Sequence, residues 1–299
     1  MRLTILLSTI LLSAIFVSAQ NAKPNDALNA EEQYNIYFKK ADEQLGKFQF
    51  EESIKSAQEA LKYKPNDHLV RAMICLDYYE IAEKLDVKKS DEKEWKLDIY
   101  KKMVTIAEEG MKAAPEKGEC YFMRGLANAR MSTTKGILSS LFSAKQIEQD
   151  WIIAVGRKSE YVTPIGENLE ASANIALGVY YRLCPSFFLL QWTFGISGDL
   201  EKAVQYCKKA YELDPTRIEI VKEYGVALIT RGLDSNNKKD IEAGKELLVK
   251  VSTLPLRLRT DKIDIEHSKM LLSDISLCPG YSRDEQQEIS EEAFRKNHH

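Results

Sequence analysis

The residues that could do chemistry in this chain are few and far apart. Its four histidines, His68, His267, His298 and His299, fall in three distant places, and none belongs to the His-Glu-x-x-His pair that sets a zinc ion beside a general base on one helix face. No Gly-x-Ser-x-Gly elbow presents a serine nucleophile. Asp234-Ser-Asn-Asn-Lys-Lys-Asp240 begins like a calcium loop. It then places Lys238 at the fifth ligand position, Lys239 where the turn needs glycine, and Lys245 where a bidentate glutamate should close the site. Thr133-Thr-Lys-Gly136 lacks the first glycine of a phosphate cradle. These residues predict solvated connections and partly exposed helix faces, so no catalytic residue, metal site or cofactor is expected.

The five cysteines, Cys75, Cys120, Cys184, Cys207 and Cys278, are odd in number, widely spaced and without a Cys-x-x-Cys pair, which argues against a disulfide framework or a zinc knuckle. Cys75 and Cys207 fall on apolar helix stripes, where a thiol packs as a small apolar residue. One bridge among Cys120, Cys184 and Cys278 is left open by the sequence. The chain has 299 residues, 44% of them hydrophobic and 29% charged, with 42 basic against 45 acidic side chains. That composition is globular, and a formal charge of minus three supplies no field to hold a nucleic-acid backbone.

Residues 1–19 carry one cation, Arg2, then an apolar-biased run from Leu3 to Val17 and the small-residue close Val17-Ser18-Ala19. This predicts an export signal cut before Gln20, since the run is shorter than the roughly 20 residues a membrane-spanning helix needs. Residues 20–30 are polar and predict a flexible linker, residues 31–290 the folded domain, and residues 291–299 a frayed tail.

Helices must position whatever function remains, and they repeat. Ser53 to Pro65, Met103 to Pro115, Ala203 to Pro215 and Ala243 to Pro255 each set an anchor residue and a proline 12 apart. Ser53-Ile54, Ala57, Ala60-Leu61 recurs at helical spacing, as does Ala203-Val204, Cys207, Ala210-Tyr211, so each segment predicts an amphipathic helix stopped by proline. Ten residues after three of these prolines stands another small residue in an apolar stripe, Cys75, Gly125 and Gly225. Two helices per unit follow. In the irregular third unit, Pro164 is expected to end the second helix and Ile152 to serve as its anchor.

This pattern resembles the tetratricopeptide repeat family. Gly198-Asp199-Leu200-Glu201-Lys202-Ala203-Val204 with Lys209-Ala210-Tyr211-Glu212-Leu213-Asp214-Pro215 is similar to the second helix of that repeat, and Ala176-Leu177-Gly178-Val179-Tyr180-Tyr181 to its first. The resemblance implies an all-α fold, a right-handed α-solenoid of about five divergent helix hairpins. In that family the two anchors of a unit are 12 apart, as Ala41 and Ser53 are here. Cys75 to Met103, Gly178 to Ala203 and Gly225 to Ala243 are wider, so the extra residues are expected between the two helices of a unit. From Gly118 to Ile275 the chain also resembles the regulator of microtubule dynamics family, through Gly178-Val179-Tyr180-Tyr181, the Gly198-Asp199 turn, and Leu254-Pro255 followed by a helix with His267, Leu271 and Leu272. An exported protein does not meet microtubules, so that likeness bears on fold.

Carried over by register, the resemblance places Leu76, Tyr79, Phe122, Leu126, Ile175, Val179, Arg182, Val226 and Ile229 on the concave groove. The groove is expected to be mostly apolar, without the Lys, Arg and Asn cluster that clamps a peptide carboxylate, and either covered by the insertions or open to an apolar ligand. A second candidate surface is Pro185 to Ile196, where Phe187, Phe188, Trp192 and Phe194 crowd into eight residues. That segment predicts a short helix tucked against a neighbouring unit, or a lobe that touches a partner or a membrane surface. The function expected is that of a non-enzymatic protein-binding or scaffold protein in the bacterial periplasm, with another protein or peptide as partner. The alternative is a periplasmic carrier of a small apolar ligand, like the T-component of a substrate-uptake system.

Overall fold

The computed structural model of the protein describes residues 24–157, 159, 161–184 and 193–283. Eleven α-helices in these residues form five successive hairpins and a closing element. α1 (Pro24–Gly46) pairs with α2 (Phe50–Tyr63), α3 (His68–Ala82) with α4 (Ser90–Ala113), and α5 (Glu119–Lys135) with α6 (Ile137–Arg157). α7 (Leu169–Leu183) pairs with α8 (Leu200–Leu213), and α9 (Ile218–Asp234) with α10 (Lys238–Val251); α11 (Asp261–Ser273) and a 3-10 turn (Ile275–Leu277) follow. Among the described residues the β-pairing is one isolated bridge, Val162 to Asn168. The architecture is the all-α solenoid of hairpins that the prolines and small residues predict.

Local chemistry sets the helix ends. Asp67, Asn168, Asp199 and Asn237 each accept a backbone N–H of the first turn they precede, satisfying donors the helix cannot use itself. α2, α4 and α8 stop just ahead of Pro65, Pro115 and Pro215. α1 starts at Pro24, inside the stretch read as a linker, because proline's fixed φ and missing N–H suit the first helical position.

Within a hairpin, the helices meet where side chains are smallest. Ser53 Oγ donates to Ala41 O at 3.1 Å in the first unit. In the fourth, a Cβ on Gly178 would run into Cys207 Sγ and lie 3.2 Å from Ala203 O. In the fifth, Gly225 and Gly244 face each other so closely that a Cβ on either would meet the other's carbonyl oxygen, at 2.9 and 2.6 Å. The anchor there is thus Gly244, and Ala243 is exposed. The third unit shows the same slip of one residue: Trp151 lies against Gly125, while Ile152 is 42% exposed. Residues 243 and 244, like 151 and 152, are adjacent in sequence and about 100° apart around the helix, and an apolar stripe of that width admits either.

The extra residues are not all inside the units. α4 runs to 24 residues and absorbs part of the second spacing, but two long connections join one unit to the next. Residues 158–168 link α6 to α7, so α6 ends at Arg157 and not at Pro164. Pro164 instead lies against Gly46, at 3.2 Å from where a Cβ would stand. Residues 252–260 link α10 to α11, and Arg259 Nε there donates to Glu80 at 3.3 Å. Leu256–Arg259 face Phe48, Phe50 and Lys84 across a small cleft. The last units therefore touch the first, and the concave side of the stack is roofed.

All five cysteines are free thiols, with Cys75, Cys120, Cys207 and Cys278 buried and Cys184 half-buried. Burial pushes the Cys120 and Cys278 thiols up to about 12, which makes them inert packing residues. Among the described residues no helix is long and apolar enough to cross a membrane.

Candidate functional site

The roofed concave side retains a cavity of about 330 Å³. Seven of the nine groove positions expected from register meet in it: Leu76 and Tyr79 from α3, Phe122 and Leu126 from α5, and Ile175, Val179 and Arg182 from α7. Their spacing explains this, because residues three and four apart on one helix share a face. Val226 and Ile229 do not reach the cavity. They pack into a cluster with Leu248, Leu271, Cys278 and Tyr281, because α11 and the segment after it fold back over the inner face of the fifth unit. Of the aromatic insertion, Phe187, Phe188 and Trp192 lie outside the described residues. Phe194 is half-buried, and its ring stands edge-on to Phe142 at 5.4 Å; Phe142 is 75% exposed.

The cavity lining is of two unlike kinds. Phe122, Leu126, Ile147, Trp151, Leu169 and Val179 supply apolar lining, and Arg130, Arg182, Arg217, Arg259 and Arg283 line it together with Glu80, Glu167, Glu219 and Glu223. The expected absence of a cationic cluster is thereby corrected. Only Arg182 lies at a register position of a first helix. Arg217 caps the start of α9, Arg259 comes from the roof, Arg283 from the returning C-terminal segment, and Arg130 from the late part of α5. Counting positions along first helices does not reach these places. One signal was available: Leu254-Pro-Leu-Arg-Leu-Arg259 alternates apolar and basic residues, the pattern of an extended segment with one face packed and one face polar.

The guanidinium groups are held in a network. Arg217 Nη1 donates to Ser172 Oγ (2.6 Å), and Nη2 to Glu167 and Glu219 (2.8 Å each). Arg283 bridges Glu219 (2.6 Å) and Asp264 (3.2 Å). Arg182 donates to Glu223 (2.9 Å) and to the carbonyls of Cys278 (3.2 Å) and Tyr281 (2.8 Å), pinning the returning segment. Arg130 donates to Tyr79 OH (3.1 Å) and Glu83 (3.0 Å). Behind this layer, fully buried Lys222 donates to Asp264 and to Tyr281 OH (2.8 Å) and lies 3.0 Å from Glu223. His267 meets the same Tyr281 hydroxyl at 2.9 Å, and burial followed by the Lys222 charge holds its imidazole below the ordinary range.

These charges set one another. Burial pushes Glu219 and Glu223 upward, but the neighbouring cations Arg283 and Arg217, and Lys222 and Arg182, overcome it and hold both carboxyls below the usual range. Glu167 and Glu80 stand above theirs because burial outweighs their arginine partners. The carboxylates and guanidinium groups thus fix one another's charge and geometry. Among the described residues, no group of three or more His, Cys, Asp or Glu side chains is placed to hold a metal ion.

The fold and site together define a class: a helical-hairpin solenoid whose concave face is partly roofed over a cavity with apolar and charged lining. Two stretches of the chain match the tetratricopeptide repeat family, residues 34–67 and 192–217; the first spans most of α1 and all of α2, the second all of α8. The chain carries tetratricopeptide repeats in those two stretches. No curated protein matches it. Among solved structures it is similar to two of MamA. One is 17% identical, over 76% of this chain and 98% of that one, with a TM-score of 0.43. The other is 16% identical, over 71% and 96%, with a TM-score of 0.42. Repeats of this family support a protein-interaction scaffold.

Proposed function

We propose that this chain is a non-enzymatic docking protein of the bacterial periplasm, exported by the segment 1–19 and holding another protein against its stack. The observation that carries this reading is the exposed Phe142 ring braced by Phe194. An aromatic side chain left wet forgoes about 1.5–3 kcal/mol of burial, and a braced one is set up to recover it against a partner. The concave groove is roofed, so the edge beside the α7–α8 connection is the docking side. Crosslinking the full chain in its native envelope fraction tests this: Phe142→Asp is expected to stay folded and lose the partner that the parent chain retains, and retention would overturn the reading. Sequencing of the envelope protein is expected to start at Gln20; a start at Met1 would remove the export step.

A second reading, as a carrier of a small apolar ligand in the manner of a T-component of a substrate-uptake system, is favoured by the partly roofed cavity. Its volume, about 330 Å³, lies at the lower end of small-molecule pockets. Native mass spectrometry of protein from its own cells is expected to show an added mass of a few hundred daltons, lost on denaturation. A bare mass throughout would count against the carrier.

A further inference from the structure

We propose that the cleft between the end of α1 and the 252–260 connection docks an acidic peptide segment of a partner protein. One apolar side chain of that segment enters between Phe48 and Leu256, and its flanking carboxylates meet Lys84 and Arg259. This surface goes beyond the docking reading above, which rests on Phe142, a residue that does not line the cleft.

Phe48 is the telling residue. It stands just past the end of α1 with φ at 58°, where Phe48 N–H donates to Leu45 O and Gln49 N–H to Gln44 O, each at 2.9 Å, to close the helix. This left-handed position suits glycine, and a side chain there strains the backbone. The ring that is held there is 47% exposed and stands edge-on to Phe50 at 6.1 Å. Strain kept for the sake of a wet aromatic ring marks a side chain with a use outside its own packing. Leu256, from the connection opposite, is 54% exposed and lines the same cleft, whose volume is about 320 Å³. Apolar groups that border a hollow receive a side chain, whereas a lipid surface is met by apolar groups that project from a helix face.

The sign of the partner follows from the lining. Every charged side chain that borders the cleft is a cation: Lys84, Arg257 and Arg259. Arg257 and Arg259 each lean on a carboxylate that does not line it, Asp214 at 2.7 Å and Glu80 at 3.3 Å. Arg259 is engaged through Nε, so its two terminal nitrogens stay available as donors. Lys84 is exposed, makes no ion pair among the described residues, and lies 4.7 Å from the centre of the Phe50 ring. The cations are also held in place, because Asp261 accepts the backbone N–H groups of Arg257 (2.5 Å) and Leu258 (2.7 Å), and a preset surface loses less freedom on binding. Donors around an apolar hollow are complemented by carboxylates around an apolar side chain. A basic segment would be repelled, and a neutral one would leave the donors to water.

Fluorescence anisotropy of a labelled Glu-Glu-Leu-Glu-Glu peptide, and of counterparts with glutamine or lysine in place of glutamate, titrated with the full chain, tests this. The acidic peptide is expected to bind roughly tenfold more tightly than the glutamine one, and the lysine one weakest. Phe48→Gly is expected to weaken the acidic peptide by roughly the same factor, with a melting midpoint close to the parent's, since the ring's partial packing is lost as the backbone strain is relieved. Lys84→Glu, at an exposed position, is expected to weaken the acidic peptide and strengthen the lysine one, and it decides the matter where Phe48→Gly fails to fold. Equal binding of the acidic and glutamine peptides, or an unaltered preference in Lys84→Glu, would overturn the inference, as would retention of the chain on phosphatidylglycerol vesicles with none of the peptides bound. Phe142→Asp is expected to bind the acidic peptide as the parent does; a loss there would overturn the assignment to this cleft, whereas failure of the peptide to bind at all leaves the reading on Phe142 standing.

Discussion

Asp77 on α3 and Asp264 on α11 are both fully buried carboxyl groups, and their surroundings are opposite. Asp264 receives Lys222 and Arg283. Neither oxygen of Asp77 has a hydrogen-bond partner, and its neighbour Ser53 gives its proton to Ala41 O (3.1 Å). Burial pushes Asp77 up to about 8, against the opposing effect of Ser53, so it is a neutral acid over much of the range in which Asp264 belongs to an ionic network. The early units are held by small-residue packing that tolerates one protonated carboxyl. The late units are held by charges that also fix the returning segment.

Removing a cation from the late network has the largest expected effect. Lys222→Met strips Asp264 and Glu223 of a shared partner and should cost about 3–5 kcal/mol in urea unfolding at pH 7, the scale for breaking a buried ion pair. Adding Asp264→Leu should restore much of that. If the double variant is no better than the single one, the buried charges are not what distinguishes this region.

Next comes pH. The folded pKa of Asp77 lies above its unfolded value of 3.8, so its contribution is complete below about pH 4 and is lost as pH rises towards 8, at up to about 1.4 kcal/mol per unit. Glu219 and Glu223 are depressed and act in the reverse sense: their contribution is present above an unfolded pKa of about 4.5 and is lost as the solution is made more acid. Melting curves from pH 3 to 9 should show a maximum between the two slopes. Asp77→Asn should flatten the alkaline slope alone; an unchanged slope would mean Asp77 is ionised in the fold. The smallest effect expected is that of Ser53→Ala, about 1 kcal/mol for one lost buried hydrogen bond. With the opposing hydroxyl gone, the loss should still begin near pH 4 but continue to higher pH.

The hairpins were legible in the sequence because proline and tiny side chains mark where helices stop and touch. Ala41 with Ser53 and Gly178 with Ala203 fall where the spacing put them. The anchors at Ile152 and Ala243 slipped by one position, since Trp151 over Gly125 and Gly244 against Gly225 satisfy the same apolar period. The apolar lining of the cavity was legible from register up to α7. Its charged lining was not, because Arg217, Arg259 and Arg283 arrive from a helix start, a connection and a returning end whose directions no helical period encodes. The fate of Val226 and Ile229 was hidden for the same reason: the strand of chain that covers them lies outside the repeat.

The bond from Arg259 to Glu80 joins residues 179 apart in sequence, and it alters what kind of object the stack is. An open row of hairpins can gain or shed a member at little cost, since each touches only its neighbours. A row whose far end must clasp its beginning has a fixed circumference. Duplication or deletion of one hairpin would leave the clasp too long or too short, so the number of units is a constraint on the descent of this protein as well as a description of it.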